Sequence, residues 1–169
     1  MLKKLLILFI ALAPLAAMAQ EVKIATVNVQ EIFAAMPEIS GIETQLSGKQ
    51  EEIRKNMQAL EEEFNKKQEE FETNPAASEA AKQDQQKQIA QLYERYQTYM
   101  QNGQQEFQQL QQKLLEPVNR KIFEAIKAIG DENNYTFVYD ISSMQSPIIY
   151  FSPSAVDATP QVKTKLGIK

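Results

Sequence analysis

The sequence has 169 residues, 43% of them hydrophobic, with a formal net charge of −4, no cysteine and no histidine. That length suits one domain with a long appendage. The missing cysteines rule out disulfides, the missing Cys and His remove the usual zinc, copper and haem ligands, and the acidic balance leaves no general basic footprint for nucleic acid.

The first segment has the order of a signal peptide. Lys3 and Lys4 form a basic start, residues 5–12 are an apolar run, Pro14 follows, and Ala17-Met18-Ala19 supplies an A-x-A cleavage site marked by Ala17 and Ala19. The apolar run is too short to span about 30 Å of hydrocarbon as an anchor. Cleavage after Ala19 takes the net charge from −4 to −6, because Lys3 and Lys4 leave with it. No cysteine follows to carry a lipid.

Residues 22–29 are β-branched without a breaker and predict a strand. Residues 30–36 predict a short helical turn anchored by Ile32 and Phe33 and stopped by Pro37. From Glu38 to about Glu72 the pattern is helical, over a length of about 50 Å. Ile39, Leu46, Ile53 and Leu60 recur every seven residues, and Met57, Phe64 and Phe71 form a second heptad set. Their alternating steps of four and three make a coiled-coil seam. Charged residues of both signs fill the solvated face between them.

Asn74-Pro75 breaks this helix. A second helix is expected from near Ala76 to about Ile129. Its seam is Ile89, Tyr93, Tyr96, Met100, Gly103, Phe107, Leu110 and Leu114, in steps of four and three throughout. Past Pro117 the spacing changes to Val118, Ile122, Ile126 and Ile129, which suggests a change of packing partner. The short break makes the two helices antiparallel neighbours. Folding about that point sets Leu60 opposite Ile89 and Leu46 opposite Gly103, with Ser47-Gly48 and Gly103 at similar heights. Glycine there is read either as close helix approach or as a flexing point.

Gly130 is expected to stop the second helix. Residues 135–141 and 147–151 predict two more strands, and Asp157 to Pro160 predict an N-cap with proline at the first turn of a short last helix. The fold class is therefore α+β and mostly helical: a small β body with a long antiparallel coiled-coil hairpin. The domain layout is residues 1–19 as signal peptide and 20–169 as a single domain. Within it, 20–37 and 117–169 form the body, and 38–116 form the arm with its tip near 73–76.

Three short strands and a short helix make a small core without disulfides, so association is expected to supply stability. Edge strands rich in Ile, Val, Phe and Tyr also need covering. A closed homo-oligomer joined through the body follows, with three subunits expected. Its interface candidates are Ile24, Val27, Val29, Phe137, Val138, Ile148 and Ile149. The hairpin seam is assigned to Leu46, Ile53, Leu60, Phe64, Tyr93, Tyr96, Met100 and Phe107. Phe71, Leu92 and Tyr99 are least explained by that seam, so client contact and simple packing stand as equal readings for them. No nucleophile–base pair is present: Ser142-Ser143 has no His to serve it, and Glu61-Glu62-Glu63 fans around a helix. No cofactor is expected, and no Gly-rich phosphate loop is found.

Three stretches together resemble the Skp/OmpH family of periplasmic chaperones. They are residues 23–33; residues 117–126 leading to Tyr135-Thr136-Phe137-Val138-Tyr139-Asp140; and Ile149-Tyr150-Phe151 through Asp157-Ala158-Thr159 to residues 166–169. The resemblance covers the whole chain after residue 19. It implies a jellyfish-shaped trimer whose helical tentacles hold unfolded outer-membrane β-barrel proteins without ATP, in the periplasm. The best-known members are basic, whereas this chain has a sequence pI near 5.0. Charge-driven gripping of clients does not carry over, and no residue of a lipopolysaccharide site is carried over either. A scaffolding coiled coil of the envelope, binding a folded partner, is the alternative reading.

Overall fold

The computed structural model describes residues 22–74, 78–143 and 148–168. The signal peptide with Ala17 and Ala19, the Pro75 and Ala76 part of the hairpin tip, and Pro147 lie outside them. The described elements run β1 (Ile24–Val27), α1 (Val29–Ala35), α2 (Glu38–Thr73), α3 (Glu79–Asn133), β2 (Phe137–Asp140), β3 (Val156–Asp157) and α4 (Thr159–Lys165). Contacts divide the chain into two units. One takes the described residues up to Ala34 and from Ile122 onward, and the other is Ala35–Lys121.

In the first unit, β1 is the central strand, with order β2-β1-β3. Both neighbours are parallel to it, Ile24 pairing with Phe137 and Ala25 with Val156. Parallel strands cannot be joined by tight hairpins, and the connection from β1 to β2 runs through α1, α2 and α3. Backbone bonds flank the β1–β2 pairing at both ends. Thr136 N–H donates to Lys23 O at 2.8 Å, and Ile141 N–H donates to Val27 O at 2.9 Å. Ile32, Ile122, Val27 and Val162 are the largest fully buried side chains, with Ala25, Ala125, Ile129 and Ala158 around them.

Several boundaries differ from expectation for local reasons. Val29 lies in α1, not in the first strand. The Asn28 carboxamide oxygen accepts Glu31 N–H at 3.0 Å and starts the helix there. The next orphan donors are also met: Val29 N–H gives to Asp140 Oδ1 at 3.3 Å and Gln30 N–H to Ser142 Oγ at 3.2 Å. Gly130 does not stop α3, which continues to Asn133. The left-handed residue is Asn134, at φ 56°. Tyr135 N–H then reaches Gly130 O at 3.0 Å and Asn134 N–H reaches Asp131 O at 3.3 Å, the two bonds of a Schellman motif. Residues 148–151 form no strand; the third strand is Val156–Asp157. Asp157 does cap locally, its Oδ1 accepting Thr159 N–H at 2.9 Å, with Pro160 in the first turn of α4.

In the second unit, α2 has 36 residues and α3, which runs on beyond this unit, has 55. Pro117 sits inside α3 without ending it. The side chains crossing between the helices set an antiparallel register. Lys49 meets Glu106 at 2.9 Å, Asn56 meets Tyr99 at 2.7 Å, and Glu63 meets Arg95 at 3.9 Å. Glu38 pairs with Lys121, whose hydrogen bond holds the Glu38 carboxyl below its usual range. Gly103 therefore faces Ile53, not Ser47-Gly48. The connection between helices takes residues 74–78 and is centred later than Asn74-Pro75, which displaces every opposed pair.

Candidate functional site

Each side chain's exposure decides what it can touch. Along α2 the inward row is Ile42, Leu46, Ile53, Leu60, Phe64 and Phe71, with Ile42 and Leu60 buried. Ile42 falls between the heptad positions and was not expected inside. Along α3 the row runs through Ile89, Leu92, Tyr96, Gly103 and Phe107. Leu92 is 8% exposed, so it packs in the seam. Tyr93 is 56% exposed, although its ring lies 6.5 Å from Phe64 in a tilted arrangement. Met100 is also exposed, at 39%. A straight helix at 3.6 residues per turn drifts against a strict heptad, which moves burial from Tyr93 to Leu92.

Phe71 is half-buried near the end of α2. The half-buried Tyr99 edges a surface groove of about 380 Å³ with Gln91, Glu94, Arg95, Thr98 and Asn102, and its hydroxyl accepts from Asn56 Nδ2. A second groove of about 240 Å³ lies at the level of Gly103. Its lining is Gln50, Ile53, Met57, Met100, Gly103, Gln104 and Phe107. A Cβ at position 103 would lie 3.1 Å from Ile53 Cγ2, so glycine permits the helices their close approach here.

The other surface is the sheet face. Ile24, Phe137, Tyr139, Ile141 and Val156 are exposed, and the Phe137 and Tyr139 rings stack at 5.8 Å. A groove of about 850 Å³ runs over this face, lined by Ile24, Tyr139, Ile149, Tyr150 and Phe151 among others. Of the body residues singled out from sequence, Ile24, Phe137 and Ile149 are exposed, Val29, Val138 and Ile148 are half-buried, and Val27 is buried at 2%. Tyr139, Tyr150 and Phe151 join the apolar surface without having been singled out. The period-2 pairing of Tyr139 with Phe137 is the signal that could have found the first of them.

Among the described residues no group of three or more carboxylates could hold a metal ion, and no helix is long and apolar enough to cross a membrane. The described residues thus present a long helical hairpin and a small parallel sheet with an exposed apolar face. The family model described as outer membrane protein (OmpH-like) matches residues 23–166. The chain belongs to this OmpH-like family, a family of chaperones. A crystal structure from Caulobacter crescentus CB15, described as that of an OmpH-like outer membrane chaperone, is similar with a TM-score of 0.69 and 12% identity. The likeness covers 86% of this chain and 83% of that one, and shows the shared fold. No curated protein matches.

Proposed function

We propose that this chain is an ATP-independent holdase of the periplasm that binds unfolded outer-membrane proteins and prevents their aggregation. The observation that carries this reading is the hairpin surface. Its two helices keep Ile42, Leu60 and Leu92 inside, yet leave Tyr93 and Met100 exposed and open two grooves on the helix sides. Such scattered apolar points suit weak contact at many places along an unfolded chain. Weak contacts that act together give high overall affinity while each one stays fast.

A homotrimer joined through the strand-bearing unit is part of the proposal. The exposed sheet face supports it, because a monomer seldom leaves so large an apolar patch open. Three hairpins in one assembly would multiply the contact points. Export to the periplasm rests on the signal-peptide order of residues 1–19.

The test is to dilute a urea-denatured β-barrel protein into buffer with and without this protein and to follow light scattering. Suppression near equimolar trimer is expected. Unchanged aggregation at several-fold excess, together with stable binding of one folded partner, would favour a scaffolding coiled coil instead.

A further inference from the structure

The hairpin is acidic, but its acidity is unevenly spread. Residues 45–59 of α2 and 96–112 of α3 face each other across the Gly103 level. Their charged side chains are Lys49, Glu51, Glu52, Arg54, Lys55 and Glu106. Three are cations and three are anions, and each is ion-paired within the set. Lys49 meets Glu52 at 3.2 Å and Glu106 at 2.9 Å, while Glu51 meets Arg54 at 2.6 Å and Lys55 at 3.7 Å. The zone therefore has no net charge and no unpaired charge. The acid surplus lies elsewhere, in runs such as Glu61-Glu62-Glu63.

Amides fill this neutral zone. Gln101-Asn102-Gly103-Gln104-Gln105 and Gln108-Gln109-Leu110-Gln111-Gln112 follow one another on α3, and every amide in these two runs is exposed. None of these amides makes a side-chain hydrogen bond among the described residues, whereas Gln58 accepts from Arg54 and Gln88 donates to Asp84. A free carboxamide offers both donors and an acceptor, the same inventory as a peptide group. The groove of about 240 Å³ opens in the same zone, with Ile53, Met57, Met100 and Phe107 as its apolar lining and Gln50 and Gln104 as its polar members. It lies below the volume range of small-molecule pockets and suits a single side chain. Methionine adapts its shape to whatever apolar group enters.

We propose that this zone is a charge-balanced docking strip for an extended, unfolded polypeptide segment without net charge, with one apolar side chain in the groove and the bordering amides of Gln50 and Gln104 on its main chain. Charge matching argues for that occupant. A strip whose charges balance offers a basic or an acidic segment no net attraction, while a neutral apolar segment loses nothing by docking there. Main-chain N–H and C=O groups of an unfolded chain need partners once water is displaced, and the free amides supply both kinds. The inference rests on the holdase reading and names the class of segment it holds.

The experiment measures affinity of the protein spanning residues 20–169 for a fluorophore-labelled, urea-denatured β-barrel protein at low and high sodium chloride. Exposed charge–charge attraction is screened over about 10 Å at 0.1 M salt and over about 3 Å at 1 M, so charge-driven binding must weaken across that range. Less than about threefold change is expected here, because no unpaired charge in the strip is there to be screened. Met100→Gln should weaken binding severalfold at both salts, and Gln104→Lys with Gln108→Lys should create a salt dependence that the parent lacks. A fall of threefold or more for the parent, or undiminished affinity in Met100→Gln, would overturn the charge-balanced strip while leaving the holdase reading standing. Absence of binding at both salts would overturn the holdase reading itself, and this inference with it.

Discussion

Three glycines interrupt the hairpin helices, and the same substitution should act on them in opposite directions. Glycine in a helix interior is about 1 kcal/mol worse than alanine, so a helical Gly→Ala change gains close to that amount where there is room. A Cβ at Gly48 meets nothing within 4 Å, and the same holds at Gly41. Gly48→Ala should therefore stabilise by about 0.5–1 kcal/mol. At Gly103 the added Cβ would sit 3.1 Å from Ile53 Cγ2, 3.4 Å from Cγ1 and 3.5 Å from Cδ1. Only the 3.1 Å contact is tighter than ordinary van der Waals packing, and Ile53 is β-branched and stiff at χ1, so Cγ2 gives the needed few tenths of an ångström only if the helices part slightly or Ile53 strains its rotamer. Overpacking of this kind costs about 1–3 kcal/mol. Set against the propensity gain, Gly103→Ala should destabilise by about 1 kcal/mol and Gly103→Val by more. The assay is urea unfolding followed by far-ultraviolet circular dichroism. A double-mutant cycle sharpens it: in an Ile53→Ala background the clash is gone, so Gly103→Ala should turn neutral or stabilising. If Gly103→Ala stabilises the parent as much as Gly48→Ala does, the close approach at this level is refuted.

Leu92 and Tyr93 give a second contrast, because the structure buries the former and exposes the latter. Leu92→Ala should cost about 2–4 kcal/mol by cavity formation and Tyr93→Ala under about 1 kcal/mol, both read from urea midpoints. Asp140 should lend acid-sensitive stability. Burial works to raise its carboxyl, but hydrogen bonds from Ser142 Oγ at 2.6 Å, Ser142 N–H at 2.9 Å and Val29 N–H at 3.3 Å outweigh it and hold it below its ordinary value of 3.8. With the folded-state value the lower one, the stabilisation is complete well above pH 3.8 and is lost as pH falls through the folded value. Asp140→Ala should cost about 2–3 kcal/mol at neutral pH, Asp140→Asn should cost less, and both should flatten the acid limb of a stability–pH curve.

The hairpin was legible because its heptads are long: Leu46, Ile53 and Leu60 on one helix and Tyr96, Gly103 and Phe107 on the other do point inward. The pairing register was not legible. It depends on where the turn is centred, and the composition at Asn74-Pro75 does not reveal that the connection extends to residue 78. Ile42 was not singled out and Leu92 stood between packing and client contact for a related reason, since a fixed heptad ignores the drift of a 3.6-residue helix. In the other unit, β-branched and aromatic composition marked β1 and β2 but also residues 148–151, where no ladder forms. The open edge of β1 is taken by Val156–Asp157, and two residues are too few to leave a pattern. Gly130 illustrates a different gap. Helix ends follow the residue that adopts positive φ, and at this end Asn134 does so four residues later. The neutral zone was hidden because net charge is a sum over the chain, while ion pairing at Lys49 and Glu51 is local.

The most direct test of the account is the mass of the protein spanning residues 20–169, measured in solution alone and after mixing with a urea-denatured outer-membrane β-barrel protein. The account predicts a mass of three chains that takes up the client without coming apart. A single-chain mass in both samples, with the client precipitating as it does by itself, would contradict it.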